Sequence, residues 1–362
     1  MVLLTPGPVE VAERVRRAAA RKMISHRGPE FRKLLEETTT LLARLGDAEE
    51  VLLLAGSGTT AVDAMTWGLV PRGARVLALV WGEFGERFAQ SAMLRGAVVE
   101  AKEYRWGEAP GPEEVAALLE EDSYEYILLV HNETSTGLAY RDIGEVARAA
   151  RRHGAKLLVD SVSGFPVEEV SLVKGVYAVA TASHKALAAP PGVAIVLLSR
   201  EAVEELEQRG KQSKDVPPVL DLARYHWFLV TRRETPFTPA VSTIYALREA
   251  LLAITEKGVE KLREEHRERA TVLYEELPRS GYEPLVVDKR YWSNTVTAFR
   301  VPGCLDAARV KEELVRRGYT IATGMGELKK SVIRVGVMGD IGKRDVENAA
   351  AILGSLAERC KD

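Results

Sequence analysis

The sequence predicts an α/β protein, with a mostly parallel central sheet in a large domain and a smaller α+β domain after it. Two observations carry this. From about Val51 to Ser199, short apolar runs alternate with amphipathic stretches, the pattern of parallel strands covered by helices on both faces. Toward the C-terminus the order changes to strand, helix, two strands and helix, a compact α+β pattern. A chain of 362 residues is also longer than one core usually supports.

The elements follow in order. "VLLLA" precedes a helical "GSGTTAVDAMTWGLV", "RVLALVW" precedes "GERFAQSAMLRG", and "YEYILLVH" precedes "DIGEVARAARRHG". "AKLLVD", "GVYAVATAS" and "GVAIVLLS" then read as buried strands. The polar segment "RGKQSKDVPPV", Arg209 to Val219, reads as a loop. Apolar spacing predicts two long helices over Ser242–Thr255 and Val259–Leu277. "NTVTAFRV" follows as strand, "DAARVKEELVRRG" as helix, "YTIAT" and "SVIRVGV" as strands, and "DVENAAAILGSLAE" as the last helix.

Composition excludes several classes. With 46% hydrophobic and 28% charged residues and a formal net charge of -2, nothing electrostatic favours nucleic acid or an anionic membrane. No apolar stretch approaches a membrane span, and "MVLLTPGPVE" lacks a basic region followed by an apolar signal core. The two cysteines, Cys304 and Cys360, come late and without metal-ligand spacing, so neither a disulfide framework nor a zinc site is expected. A reducing cytoplasm is the expected location. Asparagine occurs only at 132, 294 and 348, a lean toward a heat-adapted source.

Three stretches carry chemistry. In "TASHKALAAPPG", Lys185 sits in a turn between two interior strands, where a partly desolvated amine would act as a nucleophile toward a carbonyl. A loop lysine reaching water along its stem is the plainer alternative. In "AGSGTTA", Gly56 and Gly58 permit a tight turn into a helix, and Ser57 and Thr59 add hydroxyls beside the helix N-terminal amides. Together they make an anion cradle, or in the plainer reading a glycine turn with a threonine cap. In "LLVDSVSG", Asp160 ends an apolar strand, where a buried carboxylate needs a partner unless it simply caps a loop. A phosphate cradle, a carboxylate and an amine are what a pyridinium cofactor bearing a phosphate and an aldehyde requires. The carboxylate keeps the ring nitrogen protonated, the lysine condenses with the aldehyde, and the cradle fixes the phosphate.

With these residues the chain resembles a fold type I pyridoxal 5'-phosphate enzyme of the class V aminotransferase group, closest to the alanine–glyoxylate and serine–pyruvate aminotransferases. The resemblance runs through "TPGP" (Thr5–Pro8), "SHRGPEF" (Ser25–Phe31), "GSGT" (Gly56–Thr59), "FGER" (Phe84–Arg87), "ETSTG" (Glu133–Gly137), "VDSVS" (Val159–Ser163), "HKALAAPPG" (His184–Gly192), "TPFTP" (Thr235–Pro239) and "GELKKSVIRVGVMG" (Gly326–Gly339). It implies that Lys185 binds the cofactor covalently and later moves a proton, that Asp160 pairs with the ring nitrogen, and that Val162 and Phe84 pack on the two ring faces. It also implies that Thr134 bonds on the ring-hydroxyl side, and that Ser57, Gly58 and Thr59 hold the phosphate. Thr235 and Thr238 would reach the phosphate of a neighbouring subunit, making a homodimer with shared sites. Arg334 would grip the substrate carboxylate, and Gly7 would offer a backbone contact as "TPGP" closes over the site. The divisions implied are 1–20 as that closing segment, 21–255 as the large domain and 256–362 as the small one. One departure is His184, which stands where many relatives have glutamine; it can donate to a phosphate oxygen, with a charge that depends on pH.

The implied substrates are serine or alanine as donor and glyoxylate or pyruvate as acceptor, with aspartate, phosphoserine or ureidoglycine as alternatives. A cysteine desulfurase would need a mobile cysteine, and the context of Cys304, "VPGCLDAARV", reads instead as a strand end before a helix. A cofactor-loaded subunit without turnover is opposed by the presence of both Lys185 and Arg334. A nicotinamide dehydrogenase fails because "GSGT" lacks the third glycine and the ribose-binding acid.

Overall fold

The computed structural model describes residues 1–358. Its centre is a seven-stranded sheet in the order Glu50–Gly56, Gly192–Leu198, Ala178–Ala182, Lys156–Asp160, Tyr126–Val130, Arg75–Val80, Val98–Glu103. Neighbours run parallel except around Gly192–Leu198, which is antiparallel to the strands on both sides. Alternation along each strand divides the apolar residues between two cores. Leu53, Leu77, Ile127 and Leu157 join one, and Leu52, Leu54, Val76, Leu128 and Leu158 join the other. That explains why these strands read as unbroken apolar runs.

One strand of this sheet gives no such signal. Val98–Glu103 is the edge, almost wholly exposed, and its sequence "VVEAKE" carries the charges that discourage pairing with another chain. The two long helices lie at Val241–Lys257 and Val259–Arg279, each slightly longer than its apolar spacing predicts. A further long helix, Pro29–Gly46, starts on proline in its first turn and ends at Asp47 in the left-handed region.

The C-terminal unit is a four-stranded antiparallel sheet in the order Glu283–Pro284, Val296–Arg300, Val332–Gly336, Ala322–Thr323. The helices Val259–Arg279, Ala307–Arg316 and Lys343–Glu358 share its core, around Leu273, Phe299, Ile333, Val335 and Leu353. The chain's first residues belong to the same packing. Val2–Leu3 pairs in parallel with Tyr319–Thr320, Leu4 is fully buried in that core, and the Gly336 N–H donates to the Leu4 carbonyl at 2.8 Å. A bridge from Glu10 to Gly339 closes the far end, so Thr5–Val9 forms a strap tied down at both ends.

Cys304 is disulfide-bonded, which corrects the expectation of reduced cysteines; Cys360 lies outside the described residues. The bond leaves no mobile thiol at Cys304, the group a desulfurase would require. Intracellular disulfides are a recognised feature of hyperthermophilic organisms, so the bridge does not assign a compartment. Among the described residues no helix is long and apolar enough to cross a membrane.

Candidate active site

The parallel strands aim their carboxyl ends at one crevice, where open α/β sheets gather ligands. Lys156–Asp160 delivers Asp160 there, and Ala178–Ala182 runs into the turn bearing His184 and Lys185. That turn is fixed by its own bonds: the Ser183 hydroxyl donates to the Pro190 carbonyl at 2.7 Å, and the Ala188 N–H to the Lys185 carbonyl at 2.8 Å. From the other side the strand Glu50–Gly56 passes into the helix Gly58–Leu69, whose N-terminal amides face the same space. The result is a cavity of about 140 Å³. Ser57, Gly58, Thr59, Phe84, Thr134, Asp160, Val162, His184 and Lys185 line it, all singled out from sequence.

The titratable groups here are buried or half-buried and only partly satisfied. Asp160 is 5% exposed, and its Oδ1 accepts one N–H, from Val162, at 2.9 Å. Burial pushes its carboxyl up to about 7 against that hydrogen bond; Glu133 pushes the same way and Lys185 opposes. Burial lowers Lys185 to about 8, helped by Arg334 and opposed by Asp160. Its Nζ donates to the Pro6 carbonyl at 2.6 Å. Burial, then Lys185, lowers His184 to about 4, and its Nδ1 is buried with no hydrogen-bond partner among the described residues.

Arg334 projects from the strand Val332–Gly336 of the C-terminal unit, held by two carbonyls: Nε on Thr323 at 2.9 Å and Nη1 on Thr134 at 3.1 Å. No carboxylate pairs directly with it among the described residues, and burial lowers it to about 10 while Glu133 and Glu83 hold it up. Thr134 in turn donates from Oγ1 to the Ser163 hydroxyl at 2.7 Å. Gly7 lies against Lys185, so close that a Cβ there would stand 2.7 Å from Nζ.

Two of the expected residues lie elsewhere in this chain. Thr235 is buried and its hydroxyl donates to the Phe237 carbonyl at 2.8 Å, while Thr238 is exposed; neither lines the cavity. Other residues there escaped the sequence reading. Asn132, Asp63 and Arg87 also line the cavity, and Arg87 lies over the Phe84 ring at 5.3 Å. Glu133 is fully buried behind them, accepting the N–H groups of Phe84 (3.2 Å), Gly85 (3.1 Å) and Ser135 (3.0 Å). It caps the helix Glu83–Arg95 from another strand, a contact no local pattern announces. The available signals were weak: Arg87 is three residues beyond Phe84 on one helix face, and Glu133 opens "ETSTG".

These residues fit pyridoxal phosphate. Gly58 must lack a side chain, since a Cβ would lie 2.5 Å from the Val162 side chain and fill the cradle between helix and strand. Asp160 has accepting capacity left for a ring N–H, the Nδ1 of His184 has no partner among the described residues, and Lys185 is an amine of lowered basicity beside them. A cradle, a carboxylate and such a lysine under an α/β sheet define the class of pyridoxal-phosphate enzymes with the aminotransferase fold.

Comparison with known proteins narrows the class. The family model described as aminotransferase class-V matches residues 10–347. The chain is 33% identical to a solved aspartate aminotransferase of subgroup IV from Thermus thermophilus, covering 99% of this chain and all of that one, with a TM-score of 0.88. It is 30% identical to the solved alanine–glyoxylate aminotransferase of a Nostoc species, covering 100% and 95% of the two chains, with a TM-score of 0.90. It is also 29% identical over 378 residues to the serine–glyoxylate aminotransferase of Methylorubrum extorquens, covering 98% of this chain and 89% of that one. The chain belongs to the class-V aminotransferase family, and its cofactor is pyridoxal 5'-phosphate.

Proposed function

We propose that the chain transfers the amino group of serine or alanine to glyoxylate or pyruvate. The observation that carries this reading is Arg334: a half-buried guanidinium beside the cavity, fixed by two carbonyls and, among the described residues, paired with no carboxylate. Such a group takes the α-carboxylate common to amino and 2-oxo acids through a charge-assisted, bidentate contact. When bound, the cofactor supplies an electron sink that lets the Cα proton leave. The protein's own groups do the rest. Asp160 holds the ring N–H, and a partner of that kind draws its carboxyl back to the ionised form. Lys185, lowered to about 8, is partly neutral near pH 7 and moves the proton at Cα. Phe84 and Val162, which line the cavity, would flank the ring and keep water from it.

Small donors are supported by what lines the cavity. Besides Lys185, the one Lys or Arg side chain there among the described residues is Arg87, already engaged with Glu83 at 3.2 Å and with the Phe84 ring. A second reading, aspartate as donor, draws on the likeness to the Thermus aspartate aminotransferase, with Arg87 turning to the distal carboxylate. Assembly is part of the proposal: a homodimer in which the exposed Thr238, on the loop that also carries Thr235, supports the partner's cofactor phosphate. The exposure of Ser57 and Thr59 at the open end of the cradle supports this reading. A donor-by-acceptor screen on the purified enzyme tests the substrates, with serine, alanine, aspartate, phosphoserine and ureidoglycine against glyoxylate and pyruvate. Preference for aspartate would overturn the small-donor reading.

A further inference from the structure

The strap Thr5–Val9 makes a contact that covering the site does not require. Lys185 Nζ reaches 179 residues back along the chain to donate to the Pro6 carbonyl at 2.6 Å. The next residue, Gly7, has φ +128, and a Cβ built on it would lie 2.6, 2.8 and 2.7 Å from Lys185 Cδ, Cε and Nζ. The whole outer length of the lysine side chain therefore lies on the bare face of Gly7 and ends on the carbonyl before it. The seat is tied to the C-terminal unit through Leu4, Gly336 and Glu10.

We propose that Pro6 and Gly7 form the resting seat of the Lys185 amine whenever its nitrogen is not bonded to the cofactor, and that Gly7 is a positioning residue for that lysine. The chemistry favours such a seat. A neutral amine has two N–H donors and one lone pair, and proton transfer uses the lone pair. A carbonyl can only accept, so it binds the amine by an N–H and leaves the lone pair free. Glutamate or aspartate in that place would hold the amine protonated, and a hydroxyl donor would occupy the lone pair. Burial and then Arg334 disfavour the ammonium and outweigh Asp160, which favours it, and His184 lies adjacent in a neutral state. This inference rests on reading Lys185 as the cofactor lysine.

The test is a double-mutant cycle with kinetics alongside. Gly7→Ala and Lys185→Ala are made singly and together, and the cofactor-free proteins are melted. The strain of a side chain at φ +128 is common to both backgrounds, whereas collision with the lysine is not. Gly7→Ala should therefore lower the melting temperature more in the Lys185 protein than in the Lys185→Ala protein; an equal drop overturns the seat. In the cofactor-loaded enzyme, Gly7→Ala should lower kcat by about 10²-fold, the cost of misplacing a catalytic group by about 1 Å. KM for the amino acid should stay within a few-fold. A raised KM with kcat retained would instead make Gly7 a substrate contact and sink the proposal. If Gly7→Ala does not fold, Lys185→Ala alone decides: amide exchange across the strap should quicken when the lysine's bond to Pro6 is lost, and unchanged exchange refutes the seat. Borohydride reduction and peptide mapping keep the two readings apart. Label on another lysine removes the underlying assignment, whereas label on Lys185 without coupling removes only the seat.

Discussion

Asp160 and Glu234 are two carboxylates, each 5% exposed, that live in opposite circumstances. Glu234 is met by Arg27 at 2.8 Å and Arg32 at 2.7 Å, and Arg27 also donates to the carbonyls of Thr235 (2.7 Å) and Pro236 (3.1 Å). Burial alone would raise its carboxyl, but Arg32 and Arg27 hold it below the usual range. Among the described residues Asp160 has one backbone N–H and no cation in contact, and burial pushes it up to about 7. At equal solvent exposure, Asp160 deep in the fold and Glu234 nearer the surface beside two arginines thus shift in opposite directions. The Glu234 cluster is closed on itself, clamping the "SHRGPEF" segment onto the "TPFTP" loop. The Asp160 cluster is left open, along with the Nδ1 of His184 and the carboxylate-free guanidinium of Arg334. Buried polar groups with valences to spare are costly, and in this chain they gather around one cavity, which marks it as a functional site.

The contrast can be broken most forcefully at Lys185. Lys185→Ala should lower turnover by about 10⁴-fold, the upper end of general acid–base effects, while the protein still folds. Measurable activity near that of the parent enzyme would place the chemistry elsewhere. Arg334→Gln comes next. Losing a buried charge-assisted contact should cost about 2–5 kcal/mol in kcat/KM for every amino acid donor, with donors differing little because all share the carboxylate. A loss confined to one donor would mean that Arg334 reads a side chain.

Smaller effects concern stability, and there the signs should oppose. In cofactor-free protein, Asp160 has a folded pKa of about 7 against an ordinary 3.8, so the folded state prefers its protonated form. Its stabilising effect is complete below about pH 4 and is lost as pH rises through about 7. Asp160→Asn should therefore raise the melting temperature of the cofactor-free protein most above pH 7, by the equivalent of about 1–3 kcal/mol, with the gain shrinking toward pH 5. The same substitution should remove most turnover, because the ring nitrogen is no longer held protonated. Glu234→Gln should do the reverse. Its lowered carboxyl contributes stability above its ordinary pKa of 4.5, lost as pH falls through the folded value. The substitution should cost about 1–2 kcal/mol at pH 7, less than a fully buried pair because Arg27 and Arg32 are partly exposed, and the deficit should fade in acid. Matching pH trends in thermal melts of the two variants would erase the distinction between the open and the closed cluster.

Local pattern determined much of this protein. The central strands are buried on both faces, so their residues had to form unbroken apolar runs. Asp160, the glycine turn at Gly56–Gly58 and the Lys185 turn each sit at the end of such a run, where position along the chain already implies position at an end of the strands rather than within the sheet. The edge strand Val98–Glu103 went unread for the same reason, since only Val99 packs against a core and the rest is too exposed to show a pattern. Tertiary structure alone decided what those ends meet. Pro6 and Gly7 seat an amine far along the chain, Glu133 caps a helix it does not belong to, Arg27 and Arg32 close on Glu234, and Cys304 is bonded. Contacts of this kind leave no period in the sequence. A hydrogen bond or a van der Waals collision depends on where two backbones arrive in space, and that is settled only when the sheets and helices have packed.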